Sequence, residues 1–449
     1  MRKIISKERV FQPAQVLAIS FLITILIGAL LLFLPLSTKS GKISLVDALF
    51  TSTSAVCVTG LIVQDTPGYF TTAGQIMIMI LFQLGGLGIM TFSTLVLFAA
   101  GRKISIRERI MLQEDFHHRA PSDFRSLVVG IFFFTMVIEL AGTLFLFFRW
   151  LKDFGVLKSF YFSLFHAVSA FCNAGFSLFS ESFVSFRRDP VVNSVLIILI
   201  VLGGLGFLVL QEGKEAIIAL VRRKKVHFSL HTKIVLSMTL LLIFVSFVLF
   251  FSIEHSLSLR EMTPGEKVSS SFFQVITPRT AGFNTINLAG LSPAAVFLLI
   301  ILMFIGASPG STGGGVKTST MAVIFAFLKS RITARDSVSI FYRTLPTQLI
   351  TKAFTVVSLG LSVIFVSSFL LLMTEAQASM QEVLFEVFSA FSTVGLSLGL
   401  TPELSAAGKV VLVVTMYVGR IGPLTLLYAF SRRRAFGRYE YVEESVMVG

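Results

Sequence analysis

Long apolar stretches recur along the chain, and polar loops separate them. Each stretch is long enough to cross the roughly 30 Å hydrocarbon core of a bilayer as a helix. The first run, 16–34, is too long to be the apolar region of a cleavable signal peptide. The predicted spans lie near residues 16–35, 73–100, 127–149, 191–212, 233–253, 294–328, 350–373 and 408–430. This pattern predicts an all-α integral membrane protein with eight transmembrane helices.

A shorter apolar segment lies between the two spans of each successive pair. The four segments are Ser44–Val58, Ser159–Ala174, Val268–Ile276 and Met380–Val394. At about 1.5 Å of rise per residue, none of them crosses the bilayer as a helix. We therefore expect re-entrant half-helices that enter from outside, turn, and return as extended chain. Irregular backbone at this depth is tolerated only where protein covers it or where it lines water, so the turns are expected to line a pore.

Each short segment ends in a similar pattern around a glycine. The patterns are Ser54-Ala-Val-Cys-Val-Thr-Gly60, Ser169-Ala-Phe-Cys-Asn-Ala-Gly175, Ile276-Thr-Pro-Arg-Thr-Ala-Gly282 and Ser389-Ala-Phe-Ser-Thr-Val-Gly395, with glycines 115, 107 and 113 residues apart. Further glycines follow 24 to 28 residues later, at Gly85-Gly-Leu-Gly88, Gly203-Gly-Leu-Gly206, Gly306 and Gly419-Arg-Ile-Gly422, where small residues permit close helix packing. Two landmarks in one register predict four helix–pore-helix–helix repeats with pseudo-fourfold symmetry, at 1–125, 126–230, 231–348 and 349–449.

Composition and charge agree with a membrane location. Hydrophobic residues make up 54% of the 449 residues and charged residues only 14%, against about a quarter in a soluble domain. The net charge is +14, and 25 of the 38 Lys and Arg residues fall on the side of the two predicted termini. The positive-inside rule then places both termini in the cytoplasm. Topology and anionic membrane lipid explain these basic clusters, so no nucleic-acid partner is expected.

Four converging turns are suited to binding a monovalent cation such as potassium. Such an ion gives up its hydration shell where backbone carbonyls replace the water. Glycine reaches the dihedral angles that this requires at little cost, and the C-terminal ends of the half-helices add partial negative charge. The predicted selectivity filter, which would bind K+ through backbone carbonyls, comprises Val58, Thr59, Gly60, Asn173, Ala174, Gly175, Thr280, Ala281, Gly282, Thr393, Val394 and Gly395.

The chain resembles a known family of transporters. The glycine patterns, the eight spans, Thr277-Pro-Arg-Thr-Ala-Gly-Phe-Asn284 and Gly419-Arg-Ile-Gly-Pro423 resemble the Trk/Ktr/HKT superfamily of potassium transporters, and most of all the bacterial Ktr membrane subunits. The resemblance implies potassium uptake across the bacterial cell membrane, often with sodium dependence and without a covalent cofactor. It also implies a homodimer with one pore per protomer, bound to a cytoplasmic ring of nucleotide-binding regulatory subunits of the RCK/KTN type. In some plant relatives a serine replaces the first-repeat glycine and sodium passes, so Gly60 favours potassium.

The third returning span is interrupted by glycines and a proline. Pro and clustered Gly break a helix, and a broken helix at membrane depth commonly lines a permeation path. The resemblance makes residues 306–318 an intramembrane gate below the filter. The predicted gate residues are Gly306, Gly310, Gly313, Gly314, Gly315, Lys317 and Arg420. The alternative is a nucleotide phosphate loop, but Val316 separates Gly315 from Lys317, so the Gly-Lys pair of that motif is missing.

Two arginines fall within this predicted pore region. Arg420 lies inside the last span, and we expect it to form an electrostatic barrier under the filter, with pairing to carbonyls for helix packing as the alternative. Arg279 occupies the third pattern where the others have Cys57, Cys172 and Ser392. It is expected to point behind the filter and to hold carbonyls in place, because a cation at the axis would repel potassium.

Weaker signals come from single side chains. Glu139 fits either a proton or sodium relay or a carboxylate bonded to a neighbouring helix. His227 and His231 have helical spacing but no third ligand, so a metal site there is not expected. Asp47 and Glu386 are placed near the starts of their half-helices, where an acid suits the helix dipole.

Other functions remain open from sequence alone. Within transport, the alternatives are a sodium-permeable transporter and a strict sodium–potassium symporter. A membrane enzyme would need a convergent catalytic or metal cluster, which the sequence does not offer. A membrane scaffold with a vestigial pore is a third class.

Overall fold

The computed structural model describes residues 13–88, residues 124–430 and Glu444. Within them the chain is 71% helical, and its only strand pair is a short antiparallel hairpin of Ser339–Ile340 with Arg343–Thr344. The helices are Pro13–Phe33, Leu45–Val56, Thr66–Tyr69, Thr72–Leu87, Phe124–Phe154, Val156–Cys172, Pro190–Leu205, Phe207–Val221, Leu230–Glu254, Pro264–Ile276, Pro293–Phe304, Thr318–Ile332, Thr347–Thr374, Met380–Ser392, Ala406–Ile421 and Pro423–Phe430. Short 3-10 turns lie at Pro35–Ser37, Val184–Phe186, Leu288–Gly290 and Thr401–Glu403.

Among the described residues, four helices are long and apolar enough to cross a membrane as single straight elements. They are Ala14–Phe33, Val129–Phe154, Leu230–Glu254 and Thr347–Thr374. Only 28 to 39% of their most apolar windows is buried inside the molecule. Large side chains such as Leu30, Phe133, Phe244 and Phe365 lie on the outer surface with 64 to 69% exposure. An apolar outer surface of this kind suits lipid rather than water.

Four short helices, each following one of these long helices, coincide with the predicted short segments. They are Leu45–Val56, Val156–Cys172, Pro264–Ile276 and Met380–Ser392, and they are called the first to fourth short helices below. The third begins four residues before the predicted start at Val268. The cause is a capping box, in which the Thr263 side chain accepts from the Glu266 N–H and the Glu266 carboxylate accepts from the Thr263 N–H.

Two of the returning spans are bent rather than straight, which corrects the sequence prediction. Pro190–Leu205 and Phe207–Val221 meet at an angle of 107°, and Ala406–Ile421 and Pro423–Ala429 meet at 89°. The break falls at Gly206 and Gly422, whose φ angles of 94° and 90° no α-helix contains. The sequence pattern predicts close helix packing at these glycines, but it does not reveal that they also change the direction of the helix axis by 107° and 89°.

The third returning span is split, as predicted, by a non-helical segment. Pro293–Phe304 ends before Ile305, and helix resumes at Thr318–Ile332. A single parallel bridge joins Ile305 to Val316 and closes the intervening residues into a loop. Residues 305–317 are called the broken segment below.

Six crossings therefore fit within the described residues if each bent pair counts as one. The remaining two predicted spans are the broken one and the first returning one, of which only Thr72–Leu87 and Gly88 are described. The basic N-terminal arm, most of the loop 101–126 and the arginine-rich tail after 430 lie outside the described residues.

Glu386 was misplaced by the sequence analysis. Asp47 does lie in the first turn of its short helix, but the acid in the first turn of the fourth short helix is Glu382. Glu386 lies one turn further on and has no exposed surface. Its role is therefore not to complement the positive end of the helix.

Candidate functional site

The four glycines of the repeated pattern pack against one another in a closed ring. A Cβ atom placed on Gly60 would lie 2.8 Å from the Cα of Gly175, and one on Gly175 would lie 3.2 Å from the Cα of Gly282. One on Gly282 would lie 3.3 Å from the Cα of Gly395, and one on Gly395 would lie 2.9 Å from the Cα of Gly60. The order around the ring follows the chain, so Gly175 lies opposite Gly395.

Each glycine also abuts the carbonyl oxygen of the residue that precedes its neighbour in the ring. The distances from a Cβ placed on the glycine to that oxygen are 2.6 Å from Gly60 to Ala174, 3.2 Å from Gly175 to Ala281, 2.5 Å from Gly282 to Val394 and 2.2 Å from Gly395 to Thr59. Side chains would therefore displace the carbonyls of the ring. The dihedral angles explain only part of the need for glycine here, and the sequence does not predict this packing between distant segments.

The backbone of each turn takes a left-handed conformation at two positions. The glycines have φ angles of 90°, 72°, 79° and 90°. The residues two places before them are also left-handed, with φ of 57° at Val58, 58° at Asn173, 77° at Thr280 and 52° at Thr393. A non-glycine residue in this region costs on the order of 1–3 kcal/mol and persists where the surroundings hold it.

A hydroxyl near the end of each short helix provides part of that support. Ser54, Ser169 and Thr277 donate to the carbonyl of the residue that follows the glycine of their own turn, at 2.7, 2.8 and 2.6 Å. In the fourth turn the N–H of Gly395 donates to Ser389 Oγ at 3.1 Å. The sequence analysis assigned these residues no role, although the Ser-Ala pair that opens three of the four patterns was a visible signal.

The second set of glycines brings the returning helices onto the turns. A Cβ on Gly85, Gly203 or Gly419 would lie only 1.8 to 2.0 Å from a backbone carbonyl oxygen at the end of a short helix. Those oxygens belong to Val56, Phe171 and Phe391, each four residues before its filter glycine. The prediction of close helix approach at these positions is thus matched by the geometry.

The side chain of Arg279 runs from the third turn towards the long helix Leu230–Glu254. It is 5% exposed, and its Nη2 donates to Thr239 Oγ1 at 3.1 Å. Thr239 lies on that helix, so the bond joins the turn to the helix through a hydroxyl. The predicted contact with filter carbonyls stays a prediction.

The broken segment lies directly against three of the four turns. Asn173 of the second turn donates to Thr312 Oγ1 at 3.0 Å. A Cβ on Gly313 would lie 2.0 Å from Thr280 Oγ1, and one on Gly314 would lie 2.3 Å from Thr393 Oγ1. The two glycines thus let the segment approach the third and fourth turns more closely than any other residue would.

The other glycines of the broken segment hold its path. A Cβ on Gly306 would lie 2.3 Å from the carbonyl oxygen of Gly314. Gly310 and Gly315 have φ angles of 67° and 69°, and the carbonyl of Gly310 accepts from the N–H of Phe207 at 2.9 Å. The segment is therefore also joined to the break in the second returning span.

Arg420 connects the broken segment to the first returning helix. Its guanidinium donates to the carbonyl oxygens of Thr312 and of Gly85. Lys317 is fixed within the segment, because its Nζ donates to the carbonyl of Gly313 at 2.6 Å. Both cations of the predicted gate thus bind backbone carbonyls.

The weaker candidates have simpler surroundings. Glu139 is 3% exposed, accepts from Gln83 Nε2 at 3.1 Å and lies 3.8 Å from Cys172 Sγ. This is the arrangement expected of a carboxylate bonded to a neighbouring helix. Cys57 and Cys172 are buried free thiols. No group of three potential metal ligands, at His227 and His231 or elsewhere, occurs within the described residues.

Comparison with known proteins identifies the family. The family model described as "TrkH: Cation transport protein" matches residues 6–438. The chain belongs to the TrkH family. The family consists of cation transporters, not enzymes.

Relatives of this TrkH-family chain include characterised uptake proteins. The Ktr system potassium uptake protein B of Bacillus subtilis is 42% identical over 424 residues, which cover 94% of each chain. The potassium/sodium uptake protein NtpJ of Enterococcus hirae is 39% identical and covers 99% of this chain and 100% of its own. The crystal structure of the potassium transporter TrkH from Vibrio parahaemolyticus has a TM-score of 0.73 at 20% identity and covers 95% of this chain and 86% of that one. The last similarity establishes the fold.

Proposed function

We propose that this chain is the membrane subunit of a potassium-uptake system and that potassium crosses it in dehydrated form through the ring of four turns. The observation that carries the proposal is the closed ring itself, in which each glycine packs on the carbonyl of the next segment. Four chain segments that present main-chain oxygens to one axis can replace the hydration shell of a cation. The names of the Ktr and TrkH relatives agree with potassium as the ion.

Unpartnered hydroxyls at the turns support this role. The side-chain oxygens of Thr59, Thr280 and Thr393 are buried and have no hydrogen-bond partner among the described residues. A water molecule or an ion is one explanation for a buried polar atom that has no protein partner. The three hydroxyls belong to residues one or two places before a filter glycine, close to the proposed path of potassium.

The proposal extends to the architecture of the pore. Four repeats, 1–125, 126–230, 231–348 and 349–449, would surround the axis with eight crossings, and both termini would lie in the cytoplasm. The six crossings found among the described residues, the four short helices and the matching glycine contacts in the first, second and fourth repeats support this arrangement.

In the proposed mechanism the broken segment and Arg420 close the pore below the filter. The segment contacts the second, third and fourth turns, and the Arg420 guanidinium joins it to the first returning helix. A cation leaving the ring would meet the positive charge of Arg420. Because the bonds of Thr312 to Asn173 and Arg420 hold the segment in place, opening of the pore would require these bonds to break.

The proposal also covers regulation and assembly. We propose that a cytoplasmic nucleotide-binding ring is the partner of this chain and that a homodimer in membrane lipid is the assembled form. Similarity to proteins named as parts of Ktr systems supports a separate regulatory subunit. Binding of that ring near the cytoplasmic ends of the bent spans would shift the broken segment between its closed and open positions.

A second candidate function is sodium-permeable transport or strict sodium–potassium symport. The name of the potassium/sodium uptake protein NtpJ favours it as the alternative. Rubidium uptake into liposomes that contain the purified chain, measured with and without external sodium, separates the candidates. Uptake that needs no sodium and is blocked by potassium supports a channel-like path. Tracer sodium uptake with fixed stoichiometry to rubidium supports symport, and a chain that moves neither ion contradicts both.

A further inference from the structure

Two opposite short helices carry a titratable side chain at the same repeat position. Nine residues before the filter glycine stand Thr51, His166, Phe273 and Glu386. His166 and Glu386 belong to the second and fourth turns, which face each other across the ring. Both side chains have no exposed surface. The mechanism described above uses neither of them.

Glu386 binds the chain that leaves the fourth turn. Its carboxylate accepts from the Ser397 hydroxyl, and its second oxygen accepts from Thr401 Oγ1 at 2.8 Å. Ser397 lies two residues after Gly395, and its Oγ accepts from the N–H of Gly399 at 2.9 Å. A side chain from the middle of the short helix thus binds the chain after the filter glycine at two points. The residues that follow the filter glycine of a turn, such as 396–401 here, are called its outer segment below.

His166 does the same for the second turn. Its Nδ1 lies 2.7 Å from the carbonyl oxygen of Phe162, which can only accept, so Nδ1 carries the proton. Nε2 is then an acceptor, and it receives the N–H of Leu178 at 3.1 Å and lies 3.2 Å from Ser177 Oγ. Ser177, two residues after Gly175, accepts from the N–H of Phe179 at 2.9 Å.

The other two turns lack this arrangement. Two residues after their glycines stand Ile62 and Asn284 instead of serine. The Thr51 hydroxyl is buried and has no hydrogen-bond partner among the described residues, and Phe273 has no polar group. Among the described residues, this position of the short helix therefore binds the following chain in only two of the four repeats. In the first repeat the contact is made one helical turn earlier, where Asp47 Oδ2 accepts from Gln64 Nε2 at 3.4 Å.

We propose that Glu386 and His166 are positioning residues that fix the outer segments of two opposite turns and thereby set the preference for potassium over sodium. The proposal rests on the proposed function and deepens it. A carbonyl ring distinguishes two monovalent cations by the spacing and field of its oxygens, and both change if the segments can move inwards. Directional bonds to a buried carboxylate or imidazole restrain such movement more strongly than apolar packing does.

The test compares truncated, isosteric and control variants in liposomes. Glu386→Ala and His166→Ala remove the acceptors, Glu386→Gln keeps an oxygen for the Ser397 hydroxyl, and Thr51→Val is the control at the same position in the first repeat. The measured quantity is the ratio of rubidium to sodium flux. Size-exclusion chromatography reports whether each variant is folded.

We expect Glu386→Ala to lower the flux ratio about tenfold, which is the effect of losing one charge-assisted hydrogen bond. His166→Ala should lower it about threefold, because the bonds of a neutral imidazole contribute less. Glu386→Gln should stay within about threefold of the unaltered chain, because a neutral hydrogen bond replaces a charged one. Thr51→Val should leave the ratio unchanged. If the alanine variants do not fold, Ser397→Ala and Ser177→Ala each remove one of the two contacts that Glu386 and His166 make with their turns. Each serine variant should lower the ratio about threefold.

Two outcomes overturn the inference. Folded alanine or serine variants with an unchanged flux ratio would show that the outer segments need no such support. An equal loss in Thr51→Val would show a general sensitivity of packing instead of positioning by these two residues. Failure of the proposed function is recognised separately, because the unaltered chain would then conduct neither rubidium nor potassium.

Discussion

At the residue scale, the ring depends on glycine for two separate physical reasons. The φ of 90° at Gly60 disfavours any L side chain, and a Cβ there would also lie 2.6 Å from the carbonyl oxygen of Ala174. Gly41 offers a useful contrast, since its φ is 67° but nothing lies within 4 Å of a Cβ placed on it. Strain alone acts at Gly41, whereas strain and displacement of a carbonyl act together at Gly60.

The first prediction uses this contrast. Gly60→Ser should lower the ratio of rubidium to sodium flux, because a side chain there displaces the Ala174 carbonyl from the ring. We expect a reduction of about tenfold, which corresponds to about 1.4 kcal/mol of differential ion binding. Gly41→Ser introduces comparable backbone strain away from the ring and should leave the ratio unchanged. Flux measurements on both purified variants check this, and an unchanged ratio in Gly60→Ser would remove the ring from selectivity.

The hydroxyl supports provide a second prediction at this scale. Ser54→Ala removes the bond to the Leu61 carbonyl at 2.7 Å and the bond from the Gly60 N–H at 3.1 Å. We expect the thermal midpoint of the purified protein to fall by a few degrees, since buried groups left without partners cost about 1–3 kcal/mol each. Ser40→Ala, in an exposed loop, is the control. Equal midpoints for Ser54→Ala and Ser40→Ala would contradict the supporting role.

Single residues could be predicted from the sequence where the four repeats could be compared with one another. Four copies identified Gly60, Gly175, Gly282 and Gly395 before any geometry was known. The same alignment contained Ser54 and Ser169, but a hydroxyl acts through a partner that only the folded chain brings near. Glu386 was misjudged for the same reason, because its partners Ser397 and Thr401 lie beyond the turn.

At the element scale, Thr312 makes several of the hydrogen bonds that hold the broken segment in place. The Thr312 hydroxyl lies 3.2 Å from the carbonyl oxygens of both Phe171 and Gly203, and it accepts from Asn173. Its own carbonyl accepts from Arg420. One residue thus links the segment to the second turn, the second returning span and the last one.

Arg420 provides the prediction that tests the gate. Arg420→Ala removes two bonds to carbonyls and a positive charge below the filter, and ion flux should rise about tenfold, as expected for the loss of a charge-assisted bond. Arg188→Ala is the control, because that arginine is 72% exposed and forms an ion pair with Glu266 instead of binding backbone carbonyls. Unchanged or lower flux in a well-folded Arg420→Ala protein would argue against the gate.

Thr312→Val tests the same element without changing its charge. The substitution keeps the side-chain volume but removes the hydroxyl bonds to the second turn and to the second returning span. We expect a smaller rise in flux, about threefold, since neutral hydrogen bonds contribute less than charged ones. Ser311→Ala, whose Oγ donates at 2.6 Å to Ser308 within the segment, is the neighbouring control. Equal flux in the two variants would contradict the anchoring role of Thr312.

The sequence predicts where the helices lie better than it predicts whether they are straight or bent. The break in the third span was visible from its glycines and Pro309, and the third short helix could have been started correctly from Thr263 and Glu266. The bends at Gly206 and Gly422 cannot be predicted from the sequence, because the apolar run continues across each glycine while the helix axis changes direction. An apolar run shows that a segment lies in lipid or protein, and it does not show that the segment is straight.

At the scale of the whole molecule, membership of the TrkH family and the apolar outer surface agree on a membrane transporter. The proposed topology places the loop before each short helix outside the cell and the loops between repeats in the cytoplasm. Lys39 and Lys329 are exposed and lie on opposite sides in this scheme. The two native cysteines are buried, so they should contribute little background to thiol labelling.

Labelling of single cysteines therefore tests the topology. In intact cells, Lys39→Cys should react with a membrane-impermeant maleimide, whereas Lys329→Cys should react only after the membrane is permeabilised. The labelled fraction is read on gels of the purified protein. Labelling of Lys329→Cys in intact cells would invert the proposed orientation and place the filter entrance on the cytoplasmic side.

The location of a bound cation tests the whole account most directly. Crystals of the purified protein grown in rubidium should show an anomalous peak on the axis of the ring, shared by the carbonyl oxygens of Thr59, Ala174, Ala281 and Val394. Replacing rubidium with sodium should abolish the peak. Rubidium bound elsewhere, with the ring vacant in a protein that transports it, would contradict the claim that these four turns select the ion.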